Sequence, residues 1–292
     1  MKRPCCVNRA NVKAFGQCLI AAMTLCISTS LLHGQADTPA YKFINLGTAQ
    51  KLSNLSVGGF YQDKYGFVWV STNFGLNSYD GQEFISFLAV PGDSTSLSSS
   101  NLSGCNPYED PTGSLWIATS LGGLNQYDYT TGKFRQYKAD AGRPDWLASN
   151  QIVHITGDGT KGLWIATLGK GLNYYDYESG AFRLYYAKED SPENLMGGNT
   201  IPSLMQDSRG RLWIGTTRGA SVFDGQDFTR YRPDARQPRS LSSVFVSGLY
   251  EDRSGRVWIG TDNGLNLWNE EGKDFTRFFP SEYLHINGKG YD

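Results

Sequence analysis

Cysteine is nearly absent where a fold could use it. Of five cysteines in 292 residues, four (Cys5, Cys6, Cys18, Cys26) lie within the first 36 residues and only Cys105 lies beyond them. A disulfide framework is therefore excluded for the main body of the chain, and Cys105 reads as a small buried hydrophobe. Charge is also sparse, at 19% of residues, which is too little for a coiled coil, while 13% aromatic is too much for a disordered tail. Histidine is rarer still: after residue 36 only His154 and His285 remain. Two distant histidines and one cysteine give no zinc spacing. No Gly-x-Ser-x-Gly, His-Glu-x-x-His or phosphate loop is present, so enzyme chemistry has no visible carrier and neither cofactor nor metal is expected. Excess positive charge is missing as well. The four basic residues among 1–36 (Lys2, Arg3, Arg9, Lys13) face no acid there, and the rest of the chain holds 23 basic against 28 acidic residues. That balance argues against nucleic acid as a partner.

What is present begins with a basic segment, then a mostly apolar stretch from Ala14 to Leu32, then Gly34-Gln35-Ala36 before Asp37. These are the three parts of a secretory signal peptide, expected to span 1–36 and to leave 37–292 in the periplasm or otherwise outside the cytoplasm. The alternative is an uncleaved anchor, which the hydroxyl residues of the stretch (Thr24, Ser28, Thr29, Ser30) disfavour.

Beyond residue 36 a period dominates. Trp69, Trp116, Trp164, Trp213 and Trp258 are separated by 47, 48, 49 and 45 residues. Each stands in one recurring phrase, from Gly66-Phe67-Val68-Trp69-Val70-Ser71-Thr72 to Gly255-Arg256-Val257-Trp258-Ile259-Gly260-Thr261; the third copy is one residue short between Gly162 and Trp164. An Asp-x-x-Gly turn precedes most copies, where the Asp accepts backbone N–H groups and the Gly takes the left-handed position. A Gly-containing turn, a third strand and a fourth strand with paired aromatics follow, such as Phe228 and Tyr231. Four short strands per repeat and no helix of useful length imply an all-β propeller of four-stranded antiparallel blades. The five blades are expected at 47–87, 97–137, 148–185, 195–231 and 241–279, with tryptophans filling the gaps between them and narrow residues (Gly59, Asn106, Ser203, Gly248) on the inner strands. Tyr41-Lys42-Phe43-Ile44 reads as a further outer strand without inner partners, which makes the five blades an incomplete ring. Its bare faces are expected to self-associate unless further blades cover them.

The phrase Gly-x-Leu-Trp-Ile-Gly-Thr-x-x-Gly-Leu-Asn, read most fully in Gly255 to Asn269, resembles the two-component regulator propeller repeat, and the resemblance extends over roughly 41–280. It implies an extracytoplasmic sensor region of histidine kinases or hybrid sensors, in which seven-bladed propellers respond to oligosaccharides. This chain has five such repeats and neither kinase His motif nor receiver Asp, so the resemblance implies a downstream propeller and kinase region, or a homodimer, as partner. The expected role is binding of a small-molecule or oligosaccharide ligand. The alternatives are a propeller enzyme, such as a polysaccharide or glycopeptide lyase, and a freestanding envelope scaffold.

In such blades the connections between blades and the turns between second and third strands emerge on one face. Side chains that break the repeat there are the candidate ligand contacts: Trp146 in Gly142-Arg143-Pro144-Asp145-Trp146, and Phe74, Lys170, Arg218 and Asp262 in the turns. An exposed indole beside Arg143 and Asp145 suits stacking on a sugar ring. His154, in the inner-strand register of the third repeat, is the remaining candidate, with a satisfied hub residue as its alternative.

Overall fold

The computed structural model describes residues 43–102, 104, 106–187 and 197–279. Two compact units divide the chain, Met1–Ile44 and Asn45–Asp292. Of the first, only Phe43 and Ile44 are described; both are exposed and neither lies in a strand. The described half of the expected strand at Tyr41–Ile44 is thus not one, and Tyr41 and Lys42 lie outside the described residues, as do the expected signal peptide, Cys105 and His285.

The second unit consists of five four-stranded antiparallel sheets, each a simple meander. The first holds β1 (Val57–Gln62), β2 (Val68–Thr72), β3 (Gly75–Tyr79) and β4 (Phe84–Phe87). The second holds β5 (Tyr108–Glu109), β6 (Leu115–Thr119), β7 (Gly123–Asp128) and β8 (Lys133–Tyr137). The third is β9 (Ile152–Gly157), β10 (Gly162–Thr167), β11 (Leu172–Asp176) and β12 (Phe182–Tyr185). The fourth is β13 (Ser203–Gln206), β14 (Leu212–Thr216), β15 (Gly219–Phe223) and β16 (Phe228–Tyr231). The fifth is β17 (Val246–Glu251), β18 (Val257–Thr261), β19 (Gly264–Asn269) and β20 (Asp274–Phe278). The all-β reading holds, and the single helical element among the described residues is a three-residue 3₁₀ turn, Thr48–Gln50. Asn106, expected on an inner strand, falls outside β5, which is only two residues long.

Strand alternation explains how the sheets stack. In every second strand the Trp faces one side, and the residues before and after it face the other. Trp116, for example, lies with Ala118, Leu124 and Tyr137 against Leu163, Ile165, Tyr175 and Phe182 of the third sheet. The same arrangement sets Trp69 against Leu115 and Ile117, Trp164 against Leu212 and Ile214, and Trp213 against Val257 and Ile259. Each junction therefore joins the Trp side of one sheet to the aliphatic side of the next, and the four tryptophans at junctions are 0–6% exposed. Burying an indole of this kind is worth several kcal/mol, roughly 3–5 by analogy with Trp-to-Ala truncation.

Two polar devices repeat with the tryptophans. At the turn between first and second strands, Asp63 accepts the N–H groups of Tyr65 and Phe67 through Oδ1 and the indole N–H of Trp69 through Oδ2 at 2.7 Å. Asp110, Asp207 and Asp252 bind Trp116, Trp213 and Trp258 in the same way, at 2.8 to 3.0 Å. At the opposite end, a buried Asn of the third strand clasps the connection leading into its own blade. Asn77 accepts from Ser53 N–H and donates to Ser53 Oγ, as Asn125 does with Ser98 and Asn266 with Ser242. Both devices close hydrogen bonds that burial would otherwise leave costly.

The fourth blade has Ser221 at the place of that Asn, and the third blade departs from both devices. Its Asp158 still stands six residues before Trp164, so the short spacing from Gly162 is not a deletion: Lys161 occupies the usual glycine place, and the left-handed residue becomes Gly159 (φ 79°). Asp158 Oδ2 accepts not the indole but the hydroxyl of Tyr174, at 2.6 Å. Gly162 is what permits this, since a Cβ there would lie 2.3 Å from the Tyr174 ring. In the same blade Ala148 replaces the clasping serine; its N–H still reaches Asn173 Oδ1, but Asn173 Nδ2 has no hydrogen-bond partner among the described residues.

Candidate functional site

A meander puts the turn between second and third strands at the same end of a sheet as the connection to the next blade. The structure accordingly sets Phe74, Lys170, Arg218 and Asp262 at corresponding ends of the first, third, fourth and fifth sheets, and Trp146 in the connection from β8 to β9. All four turn residues are exposed, Phe74 at 53%. The turns are rigid at their base. Thr72, Thr119, Thr167, Thr216 and Thr261 each donate their hydroxyl to the carbonyl of the glycine that opens the next strand or, in the third blade, immediately precedes it, at 2.7 to 3.0 Å. Thr72 and Thr216 also accept the N–H of Phe74 and Arg218. The variable side chain thus projects from a fixed clamp, one per blade.

Electrostatics differ along this face. Around Arg218 the fourth blade adds Arg230 and Arg232. Burial, and then the charges of Arg232 and Arg218, push Arg230 down to about 10. Two carbonyls, of Gly197 and Arg218, accept from the Arg230 guanidinium. Asp262, by contrast, borders an apolar cavity of about 650 Å³ on the fifth blade, floored by Trp258, Leu265 and Phe278. These three lie on the Trp side of that blade, where Leu265 is 41% exposed and Trp258 half-buried, unlike the other tryptophans of the period. At the other end of the array, Phe60 of β1 is 70% exposed on the aliphatic side of the first sheet.

Trp146 is half-buried, not exposed as the sequence suggested. Its indole N–H donates to the carbonyl of Lys138 at 2.8 Å. The ring packs edge-on to Phe182 of the third blade, with centroids 4.9 Å apart, and the Arg143 guanidinium sits over it at 3.7 Å. It joins two blades as well as edging the connection between them. His154 lies in β9 opposite Ala166. Its Nδ1 has no hydrogen-bond partner among the described residues, and burial holds its pKa below the ordinary value. Among the described residues no three His, Cys, Asp or Glu side chains converge as a metal site would require.

One cleft was missed by reading the repeats. It lies at the other end of the first two sheets, and Tyr65, Tyr129 and Arg135 are among the residues that line it. The signal was present in the first Asp-x-x-Gly turn, Asp63-Lys64-Tyr65-Gly66, the only one of its kind with an aromatic inside it.

Comparison with known proteins follows the same lines. A family model described as Two component regulator propeller matches residues 51–74, 195–218 and 240–263. Among solved structures, the chain is similar to the extracellular domain of BT3049 from B. thetaiotaomicron, described as a hybrid two component system. The two are 31% identical with a TM-score of 0.69 over 81% of this chain and 32% of that one. It is also similar to the extracellular domain of BT4673 from the same organism, at 22% identity and TM-score 0.62 over 80% of this chain and 33% of that one. Virginiamycin B lyase from Staphylococcus aureus shares the fold alone, at 12% identity and TM-score 0.55 over 77% of this chain and 70% of that one. The comparison with curated proteins returned no match. The chain spans about a third of the length of the two B. thetaiotaomicron structures. No helix among the described residues is long and apolar enough to cross a membrane. With three repeats matched by the family and five blades of the same build, the chain carries two component regulator propeller repeats and resembles the extracellular domains of two-component systems.

Proposed function

We propose that this chain is a ligand-recognising propeller of a two-component signalling system, acting outside the cytoplasm and binding a carbohydrate fragment without chemical turnover. The observation that carries the reading is the 31% identity to an extracellular domain of a hybrid two component system, sustained over 81% of the chain. The face of clamped turns supports it from the physical side. Phe74, Lys170, Arg218 and Asp262 vary from blade to blade on an invariant Thr-carbonyl base, the arrangement expected of specificity carried by loops on a rigid scaffold. Trp146 and His154 complete the set as edge and hub positions. Signal output belongs to a kinase region, and a further propeller is its natural neighbour.

A glycan-array screen of the purified chain, followed by calorimetry on the hits, tests the reading. Saturable binding of an oligosaccharide, weakened at least tenfold by Phe74→Ala or Lys170→Ala with an unchanged melting temperature, is the expected result. Depolymerisation of a polysaccharide by the chain would replace sensing by catalysis, and silence across the array would remove the carbohydrate.

A further inference from the structure

The cleft at the opposite end of the first two sheets has a volume of about 410 Å³, within the range of small-molecule sites. Lys64 and Tyr65 of the β1–β2 turn, Gln126 and Asp128 of β7, Tyr129 just after it and Arg135 of β8 line it. Tyr129 is fixed, because its hydroxyl donates to Asp63 Oδ2 at 2.9 Å, the same carboxylate oxygen that holds Trp69. Tyr65 stands edge-on to Tyr129 with centroids 5.1 Å apart, and remains 60% exposed. A large aromatic ring is thereby held in place with much of its surface in water, a costly arrangement unless something covers it.

The charges around the rings are unequally satisfied. Lys64 lies 5.1 and 5.6 Å from the two ring centres and is neutralised by Glu109 at 3.4 Å. Asp128 spends its two oxygens inside its own turn, accepting from Thr130 N–H and the Thr131 hydroxyl. Gln126 is engaged at both ends, donating to Ser114 Oγ and accepting from the Tyr137 hydroxyl. Arg135 is exposed, rests over the Tyr137 ring at 4.9 Å and forms no ion pair among the described residues. The cleft therefore offers an exposed ring and one guanidinium whose donors are open, the fork that matches a planar or tetrahedral anion.

We infer that this cleft is a second binding site, for an anionic pyranose whose ring stacks on Tyr65 and whose carboxylate or sulfate is taken by Arg135. The inference rests on the reading that this propeller recognises saccharides, and adds to it the charge of the ligand and the opposite face of the blades.

Calorimetry with three probes tests it: a galacturonate trisaccharide, its methyl ester, and a sulfated galactose disaccharide. Binding of the trisaccharide or the disaccharide, with Kd raised at least tenfold by Arg135→Gln and by Tyr65→Ala and the melting temperature unchanged, is the expected outcome. The charged probe that binds identifies the anion. The methyl ester should bind weakly and be indifferent to Arg135→Gln. Binding abolished by Arg218→Ala but intact in both cleft variants would overturn the site and move the anion to the arginines of the fourth blade, leaving saccharide recognition standing. Binding of neutral sugars alone would overturn the inference and not that recognition, whereas no saccharide binding of any kind would overturn both.

Discussion

Trp213 and Trp258 occupy the same place in consecutive repeats, each bound through its indole N–H to the Asp six residues earlier. One is fully buried against Val257, Ile259 and Trp268; the other is half-exposed beside an apolar cavity. Local sequence, turn chemistry and strand register are matched, so the contrast isolates what a neighbouring blade contributes. The repeat supplies a hydrogen-bonded frame for the indole, and its burial comes from the next sheet. A blade of this kind is half of two junctions and the whole of none.

The largest test of that contrast is truncation. Trp213→Ala should cost roughly 3–5 kcal/mol of unfolding free energy by denaturant titration. Trp258→Ala should cost clearly less, because much of its ring surface is already in water. Equal losses would mean that the frame, not the neighbouring sheet, dominates the stabilisation. Protonating Asp252 and Asp158 should have a smaller effect. Hydrogen bonds hold the carboxyl of Asp252 well below the usual range, its indole partner Trp258 first, and Asp158 is lowered by Tyr174 and backbone N–H groups despite opposing burial. A depressed folded value means that the contribution is present above the unfolded value of about 4 and is lost as pH falls through the folded one. Melting temperature should therefore hold constant from about pH 7 to 5 and fall below about 4, with Asp252→Asn flattening part of that decline. A melting temperature independent of pH down to about 2 would show these two turns to be indifferent to their charge.

The smallest effect is expected at the incomplete clasp of the third blade. Ala148→Ser should restore the acceptor that Asn173 Nδ2 lacks and stabilise the chain by about 0.5–1.5 kcal/mol, the net worth of one hydrogen bond. Calorimetric melting would detect the gain, and a loss would mean that the hydroxyl cannot be seated beside Asn173 as Ser98 is beside Asn125.

These contrasts also mark where sequence was legible. The tryptophan period and the Asp-x-x-Gly turns are local devices repeated with the same spacing, and they foretold five four-stranded sheets and the turns at their ends, though not the Thr hydroxyl that clamps each turn. The third blade shows the limit. Its glycine shift was visible, but the exchange of Trp164 for Tyr174 at Asp158 depends on a cross-strand pairing that appears only when the sheet forms. Trp146 read as an exposed platform because its cover, Phe182, comes from another blade. The cleft at Tyr65 was hidden for the same reason, since Tyr129 and Arg135 stand 64 and 70 residues away in sequence.

The junctions join unlike sides, indole on aliphatic, and this polarity governs assembly. A two-fold dimer pairs a surface with itself, whereas the two end surfaces of this array differ: Trp258 and Leu265 at one, Phe60 at the other. Each has its complement at the opposite end of the array, so any association that copies the interior junctions is head-to-tail and adds units in one direction. Rotation that returns the last sheet to the first is what terminates such a series. Ring closure is then the device that turns a repeat able to polymerise into a molecule of defined size.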